Sequence, residues 1–295
     1  DPVDTLVQLS AFFVSLSGRR DLSELRFVRT HARRGGGADP ANAAIAAFLR
    51  SFAQEEPKFR ARTVEVSDAW QIADLLEEFG ERDGFEVRRD GQRRSTRCLV
   101  QDSSVASSGS GLNAATFRRG GVYVITGGGR GLGAHVARHV AETPQAHLVL
   151  MARSSLPEDG LLDSIRALGA TVEYASCDVC EASAVTALME EVIARHGRID
   201  GVIHCAGTLR DGFVRNLDRA DIEAVLGPKV EGTRNIDLAT RGAGREFLLL
   251  FSSSVGVVGN AGQSNYAYAN AFLAHYAQQR RAEGDRTVRV VHWPL

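Results

Sequence analysis

The sequence predicts an α/β fold: a parallel, doubly wound sheet preceded by a smaller α/β layer. Three observations predict it. Beyond about Arg119, short apolar runs alternate with longer amphipathic ones. The short runs are apolar on both faces, as strands covered by helices on either side must be. A glycine-rich turn follows the first of them, where such a sheet passes from strand to helix.

In chain order, 121–126 (GVYVIT), 147–151 (HLVLM), 171–177 (TVEYASC), 200–204 (DGVIH), 247–252 (FLLLFS) and 287–292 (TVRVVH) read as strands. Helical patterns fill 131–142 and 182–196, and 228–233 is a further helical stretch. In the first hundred residues, 25–30 and 61–66 read as strands and 41–54 and 69–79 as helices, while 85–100 has room for a strand pair. That half has no ligand motif of its own, and we read it as a structural partner. Between the halves, 101–111 (QDSSVASSGSG) is poor in apolar residues and rich in Ser and Gly, the composition of a surface linker. The expected division is a structural part at 1–100, a linker at 101–118 and a ligand-binding part at 119–295.

Bulk properties narrow the function. The chain has 295 residues, 44% of them hydrophobic and 24% charged, which is ordinary for a globular protein with a packed core. A net charge of −1 gives no electrostatic reason to expect nucleic acid or a membrane surface as partner. No apolar run approaches the roughly 20 residues that span a bilayer. The start, Asp1-Pro2-Val3-Asp4, has neither initiator Met nor signal-peptide pattern, so we expect a piece of a longer polypeptide. Four cysteines (Cys98, Cys177, Cys180 and Cys205) are too sparse for a disulfide framework and suit a reducing cytoplasm. Cys177 and Cys180 form a C-x-x-C, but no second pair completes a zinc site. His135 and His139 share a helix face but lack a third ligand, so no metal is expected.

The strongest local signal is Thr126-Gly127-Gly128-Gly129-Arg130-Gly131-Leu132-Gly133, which ends a strand and opens a helix. Glycines let the backbone approach a pyrophosphate, and the helix N-terminus offers it free N–H groups and partial positive charge. That is the dinucleotide site of a Rossmann-type sheet. Sites for the non-phosphorylated dinucleotide place Asp or Glu after the second strand. Here that strand ends in Met151-Ala152-Arg153-Ser154, with no acid. Arg153 and Arg130 are each able to pair with a 2′-phosphate, which favours NADPH, although either alone is compatible with a solvated surface residue. Asp178, ending the third strand, is placed to contact adenine.

A second group of residues has the chemistry to protonate an oxygen. Ser253 ends a strand, Tyr266 and Asn270 are one helical turn apart, and Lys229 lies in an earlier helical stretch. Reducing a ketone requires a hydride on carbon and a proton on the developing alkoxide. A phenol is a poor acid at neutral pH unless a cation steadies its anion. Tyr266 would give the proton, Lys229 would supply the cation and Ser253 would hydrogen-bond the carbonyl. Asn270 would position Lys229 or a relay water. Spacing alone also fits a Tyr266 that merely reaches solvent.

From about Arg119 onward the sequence resembles the short-chain dehydrogenase/reductase family, and more narrowly the ketoreductase domains of modular polyketide synthases. The resemblance lies in TGGGRGLG, Cys177-Asp178-Val179, Ile203-His204-Cys205-Ala206-Gly207 and GQSNYAYANAF. Most short-chain reductases carry Tyr-x-x-x-Lys. This chain has Tyr266-x-x-x-Asn270, an exchange seen in polyketide ketoreductases, whose lysine comes from an earlier helix where Lys229 sits. The resemblance implies reduction of a β-ketoacyl group on an acyl carrier protein, by NADPH, among neighbouring synthase domains. It adds Ser154, Cys177, Val179, Ala206 and Gly207 to the cofactor contacts, and it makes the first hundred residues a truncated Rossmann-like structural subdomain. It also implies a lid helix and a last strand beyond Leu295. Leu209-Arg210-Asp211 stands where B-type enzymes have Leu-Asp-Asp, and Val258 where A-type enzymes have Trp, so a D-configured hydroxyl is expected. Two other readings stay open: a fatty-acid-type or free-standing reductase, and a catalytically silent scaffold. Arg33-Arg34, Arg88-Arg89 and Arg93-Arg94 read as solvated edges, and Trp70 and Trp293 as packing residues.

Overall fold

The computed structural model describes residues 1–19, 21, 23–34, 37–67, 71–80, 84–91, 93–101, 117–155, 157 and 159–294. Most of the expected linker (102–116) and Trp70 lie outside the described residues.

Helix α1 (Pro2–Ser17) starts at Asp1, whose carboxylate accepts the Val3 N–H at 2.7 Å. Pro2 suits the first turn, where its missing N–H costs nothing. The same start recurs at α2 (Pro40–Glu55), capped by Asp39, which accepts the Asn42 N–H at 2.9 Å. Strands β1 (Leu25–Arg34), β2 (Gly37–Ala38), β3 (Phe59–Val66), β4 (Glu86–Asp90) and β5 (Arg93–Thr96) form one sheet in the order β2-β1-β3-β4-β5. β1, β3 and β4 run parallel, and β4 turns back through Gly91 (φ 58°) into antiparallel β5. Helix α3 is Ile72–Gly80. Phe13, Phe52 and Phe59 form a ring cluster with centroids 4.8–5.0 Å apart. Aromatic rings at this spacing gain from edge-to-face contact beyond the area they bury.

The second sheet follows the predicted alternation: β6 (Val122–Thr126), α4 (Gly131–Ala141), β7 (His147–Ala152), α5 (Leu161–Ala167), β8 (Thr171–Ser176), α6 (Ala182–His196) and β9 (Gly201–His204). Then come a 3-10 turn (Val214–Asn216), α7 (Arg219–Thr240), β10 (Phe247–Ser253), α8 (Val255–Val258), α9 (Ser264–Ala282) and β11 (Val288–Trp293). Strand order is β11-β10-β9-β6-β7-β8. β6 pairs in parallel with β7 on one side and β9 on the other, so the order reverses at β6. In a sheet of this type a ligand crevice opens at that reversal, beyond the carboxyl ends of the strands. The fold is the expected Rossmann-type α/β sheet. No helix among the described residues is long and apolar enough to cross a membrane.

The chain forms two compact units. One contains Asp1–Arg97, Gly207–Thr233 and Leu250–Leu295; the other contains Cys98–Ala206 and Arg234–Leu249. In the first, α9 packs lengthwise on α2, and the buried Tyr268 donates its hydroxyl to the Ala41 carbonyl at 2.9 Å.

The first unit also holds two histidines, His31 and His275, in one cavity of about 610 Å³ that Glu65, Glu86 and Arg97 also line. Burial lowers the His31 pKa to about 4, helped by Arg29 and opposed by Glu65. Burial also lowers that of His275. His31 Nδ1 is buried and has no hydrogen-bond partner among the described residues. The folded state therefore prefers neutral His31, and below about pH 6.5 the unfolded chain takes up the proton first. The stabilisation is complete above that pH and is lost as pH falls towards 4. Expected: acidification from pH 7 to 5 destabilises wild type by about 2 kcal/mol more than His31→Asn, read from denaturant unfolding at each pH. Parallel pH curves for the two proteins would refute the assignment.

Candidate active site

The second unit carries the glycine-rich turn. β6 delivers Thr126, whose Oγ1 lies 2.6 Å from His204 Nδ1 and accepts the Ala206 N–H at 3.3 Å. Both side chains are buried, so the end of β6 and the end of β9 are fixed to each other. Gly127 then turns with φ 66°, a conformation that disfavours a side chain, and donates its N–H to the Met151 carbonyl at 2.7 Å. A Cβ on Gly127 would fall 2.9 Å from the Ala206 backbone, and one on Gly133 would strike the Gly127 carbonyl oxygen. A Cβ on Gly129 would press on the Tyr174 hydroxyl at 2.8 Å. Gly131 (φ 55°) faces open space, with nothing within 4 Å of its Cβ position. Arg130, at the cap of α4, makes no side-chain bond to the helix end, so the first-turn N–H groups stay available to an anion. A bare helix start fronted by glycines fits a dinucleotide pyrophosphate.

The other predicted contacts of this unit lie at the ends of β7, β8 and β9. Arg130, Leu132 and Arg153 are exposed. Tyr174 donates to the Ser154 carbonyl at 3.0 Å, and Ser176 to the Arg153 carbonyl at 3.2 Å, which fixes the turn after β7. Cys177 donates its N–H to Ala152, and Asp178 accepts the Cys180 N–H at 2.9 Å. Asn235 holds the Val179 carbonyl at 2.9 Å. Burial pushes the Cys177 thiol above its usual range, away from the thiolate that redox or metal chemistry needs.

The first unit holds Lys229, Ser253, Tyr266 and Asn270. Lys229, in α7 and only 5% exposed, donates its ammonium to the Phe251 carbonyl at 2.8 Å. Its Nζ lies 6.0 Å from the centroid of the Tyr266 ring. Gly207 is close enough that a Cβ there would touch Lys229 Cε at 3.2 Å. Two residues beyond Phe251, buried Ser253 accepts the Val255 N–H at 3.3 Å. Between them, Ser252 donates to the Asn270 carbonyl at 2.9 Å. Gly256 in α8 lets α9 approach until a Cβ would sit 2.8 Å from the Ala271 nitrogen. Asn270 is fully buried and donates to the Tyr266 carbonyl at 2.8 Å. Its Oδ1 has no partner among the described residues. A buried acceptor left open costs free energy, so this atom is suited to accept a hydrogen bond from an ammonium or a water.

The loop carrying Leu209 and Asp211 is tied to the start of α9. Asp211 accepts from Gln263 Nε2 at 2.9 Å, Arg210 offers its carbonyl to Asn265 Nδ2 at 3.1 Å, and Gly212 donates to the Gly262 carbonyl at 2.8 Å. Leu209 and Val258 are exposed, the latter at the end of α8.

Sequence reasoning missed His204 and Asn265. A lone histidine closing an apolar strand was the signal for the first. For the second it was the polar run Gln263-Ser264-Asn265 ahead of a helix, where Asn265 Oδ1 accepts the Tyr266 N–H at 2.7 Å.

A family model described as "KR domain" matches residues 121–295. The chain belongs to the ketoreductase (KR) domain family. The ketoreductase chain is 31% identical over 259 residues to polyketide synthase PksN of Bacillus subtilis, covering 85% of this chain and 5% of that protein. It is 33% identical over 263 residues to polyketide synthase PksL of the same organism, covering 85% of this chain and 6% of that protein. Among solved structures it superposes on an N-terminal ketoreductase from a macrolactin assembly line with a TM-score of 0.82 at 27% identity, covering 99% of this chain and 59% of that one. The ketoreductase thus spans about one twentieth of the length of these curated relatives. Ketoreductase domains are oxidoreductases of the short-chain superfamily that bind a nicotinamide cofactor.

The loop geometry yields a direct test. Gly127→Ala forces a side chain into left-handed backbone and against Ala206, at a cost of about 1–2 kcal/mol. Expected: nicotinamide cofactor affinity falls on the order of tenfold, measured by fluorescence titration. Unchanged affinity would mean that the loop is not the phosphate cradle.

Proposed function

We propose that this ketoreductase domain reduces a β-ketoacyl thioester on an acyl carrier protein to the β-hydroxyacyl thioester. The reductant is NADPH, the setting is a modular polyketide synthase, and the product carries a B-type, D-configured hydroxyl. The observation that carries the reading is the buried Lys229 ammonium, anchored to Phe251 and 6.0 Å from the Tyr266 ring centroid.

Reduction of the carbonyl consumes one hydride and one proton. The cofactor, when bound, supplies the hydride. Tyr266 supplies the proton: its O–H bond breaks as the alkoxide O–H bond forms, and a phenolate develops. Lys229 is the cation that steadies the developing phenolate. Ser253 donates a hydrogen bond to the carbonyl oxygen and polarises it. Asn270, through its open Oδ1, orients the Lys229 ammonium or a water that returns the proton to Tyr266.

Thr126, Gly127, Gly129, Gly131, Leu132 and Gly133 hold the pyrophosphate, and Cys177, Asp178 and Val179 contact the adenine end. Ala206 and Gly207 lie towards the nicotinamide end. Arg130 and Arg153 are the groups for a 2′-phosphate, and the end of β7, Met151-Ala152-Arg153-Ser154, holds no carboxylate to claim the ribose hydroxyls instead. The B-type assignment draws on Leu209, Asp211 and Val258.

Two measurements test the reading. With a diffusible β-ketoacyl thioester, wild type consumes NADPH, and Tyr266→Phe does so at least about a hundredfold more slowly. No consumption by wild type would favour a silent scaffold, equal rates would dismiss Tyr266 as the acid, and a mainly L-configured product would overturn the stereochemistry. Separately, Arg153→Ala raises KM for NADPH on the order of tenfold, the loss of one charge-assisted contact, and leaves that for NADH unchanged. Equal effects on both cofactors would remove Arg153 from 2′-phosphate recognition.

A further inference from the structure

The C-terminal end of α2, in the N-terminal layer, is built into the loops that surround the tyrosine. Four residues of α2 make the connection. Arg50 donates to the Val257 carbonyl at 2.6 Å and Gln54 to that of Val258 at 3.1 Å. Ser51 Oγ accepts the Asn260 N–H at 3.1 Å. Gly259 (φ 74°) lies so close that a Cβ would be 3.1 Å from Arg50, Ser51 and Gln54.

Glu55 completes the row and does the most. Its Oε2 accepts the Val214 N–H at 2.8 Å. Its Oε1 accepts the Gly262 N–H at 3.1 Å and the Ser264 hydroxyl at 3.0 Å. Val214 closes the loop that carries Leu209 and Asp211; Gly262 and Ser264 open the helix that carries Tyr266. One carboxylate, part-buried, thus serves two segments through two backbone N–H groups and a hydroxyl.

We infer that Glu55 is a positioning residue for the reduction: it clamps the 209–214 loop to the start of α9 and so sets where Tyr266 stands relative to the stereocontrol loop. The inference rests on the reductase reading above. Only an acceptor with two oxygens meets all three donors. A glutamine in its place presents an NH2 group to at least one of them, and whichever way the amide turns, one backbone N–H loses its partner. Burial pushes the Glu55 carboxyl above its ordinary range while the three hydrogen bonds pull it down, as for a carboxylate held by donors in a partly dry site.

The test compares wild type, Glu55→Gln, Ser264→Ala and the neighbouring control Glu56→Gln. Hydrogen–deuterium exchange over 210–216 and 260–266 reads the clamp without relying on catalysis. Turnover of a β-ketoacyl thioester with NADPH, and the enantiomer ratio of the alcohol, read its consequence. Expected for Glu55→Gln: faster exchange in both segments, kcat lower on the order of tenfold, KM for NADPH within about twofold, and an eroded enantiomer ratio. Ser264→Ala, which removes one donor and leaves the carboxylate, moves the same readouts less, and Glu56→Gln moves none. Unchanged exchange in Glu55→Gln would refute the clamp. Faster exchange with unchanged kcat and enantiomer ratio would reduce Glu55 to a structural role. If wild type reduces nothing, the reductase reading falls, and exchange alone decides whether the clamp exists.

Discussion

The proposed reaction depends on one buried charge. Lys229 is withdrawn from water and would be costly there without compensation, because a lone ammonium in a dry site loses its hydration. The Phe251 carbonyl accepts a hydrogen bond from it. That bond also fixes the ammonium at the carboxyl end of β10, the strand that carries Ser253. The lysine, the serine and the helix of the tyrosine are therefore located by one short stretch of backbone. A lysine on the tyrosine's own helix would need no such anchor. Here the cation comes from another helix, and its position is only as good as the registry of β10.

The two units divide the labour. In one, glycines with positive φ and a bare helix start make a surface suited to phosphates. In the other, nearly every polar group of the cluster is committed to a backbone partner: Ser252 to Asn270, Asn270 Nδ2 to Tyr266, and Ser253 to Val255. Asn270 Oδ1, by contrast, is buried and has no partner among the described residues.

Much of this was legible in the sequence, for local reasons. The strands of the second sheet are short apolar runs bounded by turn residues, and the glycine loop declares itself between a strand and a helix. β11 occupies Val288–Trp293 where 287–292 was expected. Helices α1 and α5 went unassigned, and α7 was read only over 228–233. α1 is apolar around most of its circumference, so no stripe marks it. α5 has seven residues, too few for a period to show. α7 carries Gly227 and Pro228 within it, which read as a break although the helix runs through them from Arg219 to Thr240. The role of Glu55 was illegible for another reason: its partners lie 159 and 207 positions away, and nothing in the residues beside it points there.

Helix α9 also bears on how such a domain changes over time. Every residue from Ala267 to Leu273 is buried, so a substitution along that stretch disturbs close packing and is penalised before any new substrate is tried. The helix body is conservative ground. Innovation has freer passage through Leu209, Val258 and the turns nearby, whose side chains face solvent. A diverging lineage would accumulate its changes there, leaving the packed helix intact.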